Sequence, residues 1–180
     1  MALSATIYKA DINVVDMDRH YYEQHILTLA QHPSETAERL MLRLLVFALH
    51  ASETMAFTKG LSTDDEPDLW QKSLSDEIEL WIELGLPSEK RLKKACGRSQ
   101  QVIVYAYGAG SANLWWEKIQ PQLSRFNNLT VKRIDAAPLE QLKIFLKRTI
   151  ELQISIQDKE ITCLSADNEL VLTPEILSLR

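Results

Sequence analysis

Residues 77–97 read Glu77-Ile78-Glu79-Leu80-Trp81-Ile82-Glu83-Leu84, then Gly85-Leu86-Pro87-Ser88, then Glu89-Lys90-Arg91-Leu92-Lys93-Lys94-Ala95-Cys96-Gly97. Within this stretch the apolar period changes from two to that of a helix. Alternate residues of a strand share a face. Ile78, Leu80, Ile82 and Leu84 therefore point into a core, and Glu77, Glu79, Trp81 and Glu83 point the other way. Gly85 and Pro87 end the strand, and Ser88 is placed to cap a helix running to Gly97. Leu92, Ala95, Cys96 and Ser99 form the buried stripe of that helix. Residues 101–107, β-branched and aromatic, make the next strand. Strand, helix and strand in succession imply an α/β or α+β class with a mixed central sheet flanked by helices.

Outward from this unit the pattern stays mixed. Residues 5–15 alternate loosely and read as a strand, with Thr6, Tyr8, Ala10, Ile12 and Val14 on one side. Asp16-Met17-Asp18-Arg19 is a turn. Residues 21–31 read as a returning strand, with a helix as the alternative. From Ser34 to His50 the period is helical, with Ser34 as N-cap and Pro33 at the boundary. On its outer side Glu35, Arg39 and Arg43 form an i, i+4 ladder. Residues 55–59 are a short strand ended by Gly60, and residues 68–72 one helical turn. Downstream, a helix from Ser111 stops near Ile119 before Pro121, residues 129–134 form a strand, and residues 138–148 a helix begun by proline. Residues 151–156 and 160–164 form a hairpin turned at Gln157-Asp158-Lys159.

The chain has 180 residues, 46% apolar and 25% charged, and no repeat or Gly/Ser linker. That suits one domain over residues 1–180. No apolar run is long enough to span a bilayer, and Met1-Ala2-Leu3-Ser4-Ala5 lacks the pattern of a signal peptide. Cys96 and Cys163 have no partner pattern, so free thiols in a reducing cytoplasm are the expectation. His20, His25, His32 and His50 show no zinc spacing. Gly108-Ala109-Gly110 lacks the third glycine and the ribose-binding acid of a dinucleotide fingerprint. Of Trp115 and Trp116, one ring is expected inside and one at the surface. A net charge of −5 argues against a broad nucleic-acid-coating surface, yet leaves room for a nuclease whose carboxylates are offset by metal.

Carboxylates cluster around the opening stretch. Asp64-Asp65-Glu66-Pro67-Asp68 precedes the strand. Clustered carboxylates repel unless something neutralises them, and a hard divalent cation does so. Glu83 differs from the other strand acids because it lies at the strand's end, where α/β sheets border ligand crevices. Pro67 holds Asp68 in a defined direction. Glu38, at the flank of the earlier helix's stripe, is a further acid. Lys93 flanks the buried stripe of its helix and can snorkel toward the sheet, with Lys94 close behind. The bland competitor for all of these is an acidic, solvated surface.

Pro67-Asp68, then Glu83, then a basic helix, resembles the PD-(D/E)XK nuclease pattern. More specifically, His32-Pro33-Ser34-Glu35-Thr36, Asp64-Asp65-Glu66-Pro67-Asp68 and Trp81-Ile82-Glu83-Leu84-Gly85-Leu86-Pro87, with Lys93-Lys94-Ala95-Cys96, resemble the bacterial YaeQ family over essentially the full length. That resemblance implies a compact restriction-endonuclease-like core with extra N- and C-terminal strands. It implies Mg²⁺, or Mn²⁺, held by Asp68 and Glu83 with Asp65 or Glu38. Lys93 or Lys94 would stand in for the motif lysine, because Gly85 occupies the lysine's usual place. The chemistry would be phosphodiester hydrolysis, with Arg39, Arg43, Lys90 and Arg91 as nucleic-acid contacts. The alternative is a catalytically inactive module that binds nucleic acid or a protein partner.

Overall fold

β1 (Thr6–Asp16) and β2 (Tyr21–Gln31) are an antiparallel pair in register from Thr6 opposite Gln31 to Asp16 opposite Tyr21. The second segment is therefore the returning strand. The computed structural model describes residues 4–59, 61 and 63–177. Gly60, expected to end a strand, and Met1 to Leu3 lie outside the described residues. The chain groups into two compact units, residues 1–51 with 137–173 and residues 52–136 with 174–180. Instead of one central sheet there are two, one in each unit.

In the first unit α1 (Ala37–Leu49) follows β2. The chain returns through α4 (Ala136–Gln141) and a 3-10 turn at Leu142–Phe145. It then adds β8 (Thr149–Gln157), β9 (Glu160–Leu164) and β10 (Glu169–Leu172). The sheet order is β10-β9-β8-β1-β2, with β8 parallel to β1 and the other neighbours antiparallel. Ala10, Ile12 and Val14 are buried, as their alternation requires. The hairpin between β8 and β9 turns on Asp158 and Lys159, both at positive φ (52° and 66°). A two-residue loop with both centres left-handed matches the twist of the strands. Asp18 fixes it, its carboxylate accepting the N–H of Asp158 and of Lys159 at 2.8 Å each.

Three local expectations shift here. Thr36, not Ser34, caps α1 by accepting from the Arg39 N–H at 3.2 Å, and Ser34 bonds His32 Nδ1 at 2.7 Å instead. Arg39 through Ala48 are all buried, so α1 carries no exposed outer side. The expected helix at 138–148 starts earlier and tightens into the 3-10 turn. Leu139, Leu142 and Phe145 are buried there, and a three-residue repeat suits three residues per turn.

The second unit holds β3 (Met55–Phe57), β4 (Leu69–Lys72), β5 (Ile78–Leu84), α2 (Glu89–Arg98), β6 (Ser99–Tyr107), α3 (Ser111–Leu123), β7 (Leu129–Ile134) and β11 (Glu175–Leu177). Its sheet order is β11-β7-β6-β5-β4-β3, with β5, β6 and β7 parallel. The deciding stretch thus opens a β-α-β-α-β run that ends with β7. Trp81, Leu92, Ala95, Val102, Val104, Ala106, Ile119, Leu123, Leu129 and Val131 make one apolar cluster under α2 and α3.

That cluster corrects the face assignment on β5. Trp81 and Glu83 lie on the helix-covered face and are 1% and 3% exposed, while Ile82 on the opposite face is also buried. A strand that is buried on both faces need not show its acids to water. Residues 68–72 are not a helical turn, because Leu69 pairs with Ile82 and Trp70 with Trp81 across the sheet. α3 runs past Pro121, whose missing donor affects only the last turn. Ile119 and Leu123, four residues apart, bury one face across it. Trp115 and Trp116 are both partly buried against the cluster, so neither is wholly inside or outside.

Candidate functional site

Asp68 stands at the head of β4. Its N–H donates to the Ile82 carbonyl (3.0 Å), extending the β4–β5 ladder by one residue. Its Oδ2 accepts from the Leu84 N–H at 2.7 Å. This carboxylate, 4% exposed, therefore closes the end of β5 by satisfying a buried donor.

One residue earlier on β5, Glu83 Oε1 accepts from Trp81 Nε1 at 2.7 Å and from Arg91 Nε at 2.8 Å. Burial pushes the Glu83 carboxyl above the usual carboxylate range. The Arg91 and Trp81 hydrogen bonds pull the other way, and the nearby Asp68 charge adds to the rise. The two acids of the expected site are therefore close enough to feel each other.

The cation beside them is Arg91, not a lysine. Its remaining guanidinium nitrogens donate to the carbonyls of Asp64 (3.1 Å) and Glu66 (2.8 Å). One turn on, Lys94 pairs with the Asp65 carboxylate, and Arg98 donates to the Asp65 carbonyl at 3.1 Å. Residues i, i+3 and i+7 share a helix face, so Arg91, Lys94 and Arg98 form one basic stripe that holds the acidic loop. The Arg98 guanidinium also lies 5.5 Å from the centre of the Trp81 ring.

Lys93 is exposed, and no hydrogen bond or ion pair links it to the other described residues. The snorkelling role expected of it falls to Arg91, two residues earlier. At ~100° per residue that change moves the side chain across the buried stripe onto the loop side. Spacing does show that Arg91, not Lys93, shares a face with Lys94 and Arg98, though not which acid that face meets.

Glu38 belongs to the first unit. Its carboxylate lies 3.5 Å from Lys143 Nζ. A backbone hydrogen bond chiefly holds its carboxyl below the usual range, with Lys143 adding to the effect. Arg39 and Arg43 are not an outer ladder. Glu35 Oε1 accepts from Arg39 (3.0 Å) and from Arg43 Nε (2.8 Å), and Arg43 also reaches the Ala30 carbonyl at 2.9 Å. All three side chains are buried, so neither arginine offers the nucleic-acid contact expected of it. Lys90 stays exposed.

Among the described residues no three His, Cys, Asp or Glu side chains converge as a metal-holding set. The position a cation would take beside Glu83 Oε1 is occupied by a guanidinium. This donor set does not fit Mg²⁺, which needs several oxygens in near-octahedral array. The two thiols are also poor ligands and nucleophiles, since burial pushes Cys96 up to about 11 and Cys163 up to about 12.

The family model described as YaeQ protein matches residues 1–174. The chain belongs to the YaeQ family. It is 49% identical over 170 residues to the uncharacterized protein YaeQ of Salmonella typhi, covering 94% of both chains. To that of Escherichia coli strain K12 it is 48% identical over 158 residues, covering 88% of this chain and 87% of the relative. The crystal structure of the YaeQ protein from Xanthomonas axonopodis pv. citri superposes with a TM-score of 0.94 at 44% identity, over 97% of this chain and 99% of that one. The YaeQ protein from Pseudomonas syringae gives 0.92 at 34%, over 97% and 96%. No helix among the described residues is long and apolar enough to cross a membrane.

Proposed function

We propose that this YaeQ-family chain keeps a nuclease-like frame but works by binding a protein partner and not by hydrolysis. The observation that carries the reading is Arg91. It neutralises Glu83 and ties down the loop carbonyls of Asp64 and Glu66, so the acids serve as a structural lock between loop, strand and helix. A protein partner is favoured over nucleic acid because most of the expected phosphate contacts are committed internally. Arg39 and Arg43 hold Glu35, Arg91 holds Glu83 and Lys94 holds Asp65. Lys90 and Lys93 remain, on a chain of net charge −5, and phosphate binding needs many cations.

The test is a Mn²⁺ and Mg²⁺ titration by calorimetry, beside cleavage and anisotropy assays on single- and double-stranded DNA and RNA. No saturable metal site, no cleavage and no salt-sensitive binding are expected. The competing reading is Mg²⁺-dependent hydrolysis through Asp68, Glu83 and Lys93 or Lys94, and the closeness of Asp68 to Glu83 favours it. Cleavage that disappears in both Asp68→Asn and Glu83→Gln would establish it and overturn the binding-only proposal.

A further inference from the structure

The outer edge of β2 carries a separate feature. β2 is the last strand of its sheet, is 11 residues long, and pairs with no second strand among the described residues. Long edges normally carry lysine, proline or a bulge against edge-to-edge pairing. β2 reads Tyr-Tyr-Glu-Gln-His-Ile-Leu-Thr-Leu-Ala-Gln, with none of these, and its register to β1 is unbroken. On its solvent face lie Tyr22, Gln24, Ile26, Thr28 and Ala30. Ile26 is 79% exposed and Tyr22 56%. That face is symmetric about Ile26, with an apolar centre, a polar residue on each side and an apolar residue at each end.

We infer that β2 pairs antiparallel with β2 of a second copy of this chain, on a two-fold axis at Ile26. This sets Ile26 against its mate and Gln24 against Thr28 of the second copy, with Tyr22 and Ala30 beyond the ends of the ladder. The hydrogen-bond polarity fits that register. Lys9 Nζ donates to Thr28 Oγ1 at 2.8 Å, leaving the hydroxyl hydrogen to donate onward. Gln24 Nε2 donates to Asp11 Oδ1 at 2.7 Å, leaving its amide oxygen to accept. Thr28 opposite Gln24 of the second copy joins these into a chain from Lys9 of one copy to Asp11 of the other, and symmetry repeats it. Glu23 falls opposite Leu29, so no like charges meet. Arg43 on the Ala30 carbonyl ends the pairing, which spans Glu23 to Leu29 of each copy. At ~3.4 Å per residue that ladder is about 24 Å long. A single pair of edge strands is a small contact by the standard of stable dimers, so the association is weak.

Sedimentation velocity on the full chain, from low micromolar to the high concentrations at which a weak dimer forms, is the test. The wild type is expected to move from 20.6 kDa toward twice that mass, and Ile26→Lys to stay monomeric with an unchanged circular-dichroism spectrum. Register is read separately by mild oxidation. Ile26→Cys should cross-link to its mate, whereas Tyr22→Cys should not, because the two positions lie ~27 Å apart at ~3.4 Å per residue. The wild type controls for the native cysteines. A wild type that stays monomeric, an Ile26→Lys variant that dimerises equally, or a Tyr22→Cys variant that cross-links as well as Ile26→Cys overturns the proposal.

Discussion

Each unit buries a charged cluster, and the two are built oppositely. In the first unit one acid, Glu35, is shared by two arginines, Arg39 and Arg43, close in sequence. In the second, Glu83 pairs with one arginine, Arg91, while the neighbouring acid Asp68 accepts from the Leu84 N–H, and loop, strand and helix each contribute a member. In the first cluster the one carboxylate is already shared between two guanidinium groups, which leaves it poorly placed to hold a metal. The second has a surplus of acid, so it alone resembles a catalytic site, and a single arginine makes it a lock. Removing the minority charge should therefore be the most damaging change in either cluster.

The largest effect is expected in the first unit. Glu35→Ala removes from two buried arginines the carboxylate they share, and guanidinium cannot shed its proton. Breaking a buried pair in this way costs about 4 kcal/mol, which urea unfolding would read directly. A loss below about 1 kcal/mol would show instead that water or the Ala30 carbonyl compensates, and would erase the contrast.

Arg91→Met is expected to cost less, about 2–3 kcal/mol at pH 7. Unlike the arginines of the first unit, the stranded Glu83 has an escape, since it can take up a proton. The sign follows from its raised value. The folded chain binds this proton more readily than the unfolded one, so the group's contribution to stability falls as pH rises from about 4.5 through the raised value. The Arg91→Met penalty should therefore grow between pH 5 and pH 8. A penalty independent of pH would mean that Glu83 is held by its other partners.

This contrast also explains what the sequence could disclose. Both strands of the deciding unit, Ile78–Leu84 and the core of Ser99–Tyr107, are legible, as are the Ser88 cap and the β1–β2 hairpin. In each, local period and local capping agree with the final contacts. Asp68 and Glu83 stand out in the sequence as candidate acids, but only the family resemblance sets them in one site. The partner of Glu83 was not legible. Arg91 reaches it because α2 folds back over β5, and intervals along a chain do not encode that crossing. β4 was misread for the same reason, since Leu69 and Trp70 are strand only through pairing with Ile82 and Trp81. The Glu35, Arg39 and Arg43 spacing was plain, but its burial depends on what covers a helix, which an i, i+4 pattern leaves open. β10 and β11, four and three residues long, are too short for any period to register.

Glu83→Gln is the next smaller effect. The amide oxygen keeps acceptors for Trp81 Nε1 and Arg91 Nε, and a neutral group lowers the burial penalty. The net change at pH 7 should stay within about 1 kcal/mol. Its diagnostic is the shape of the curve. Thermal stability against pH should flatten above pH 4.5 relative to the wild type, because the group whose protonation folding favours is gone. If Glu83→Gln unfolds the chain while Arg91→Met does not, the carboxylate charge itself is required, and the lock reading gives way to a site held charged for function.

Lys94→Ala should have the smallest effect. Lys94 and Asp65 form an exposed pair, with side chains 43% and 80% accessible, and such pairs in high dielectric add little to stability. No measurable change in Tm is expected. The carboxyl of Asp65, which its Lys94 hydrogen bond chiefly holds below the usual range, should return toward the ordinary value in an NMR titration. The loop should stay in place, because Arg91 and Arg98 still hold the carbonyls of Asp64, Glu66 and Asp65. A variant that instead lost order across residues 63–68 would move the holding role from the arginine to the exposed pair. The second unit's acids would then rest on a salt-sensitive surface contact, unlike those of the first.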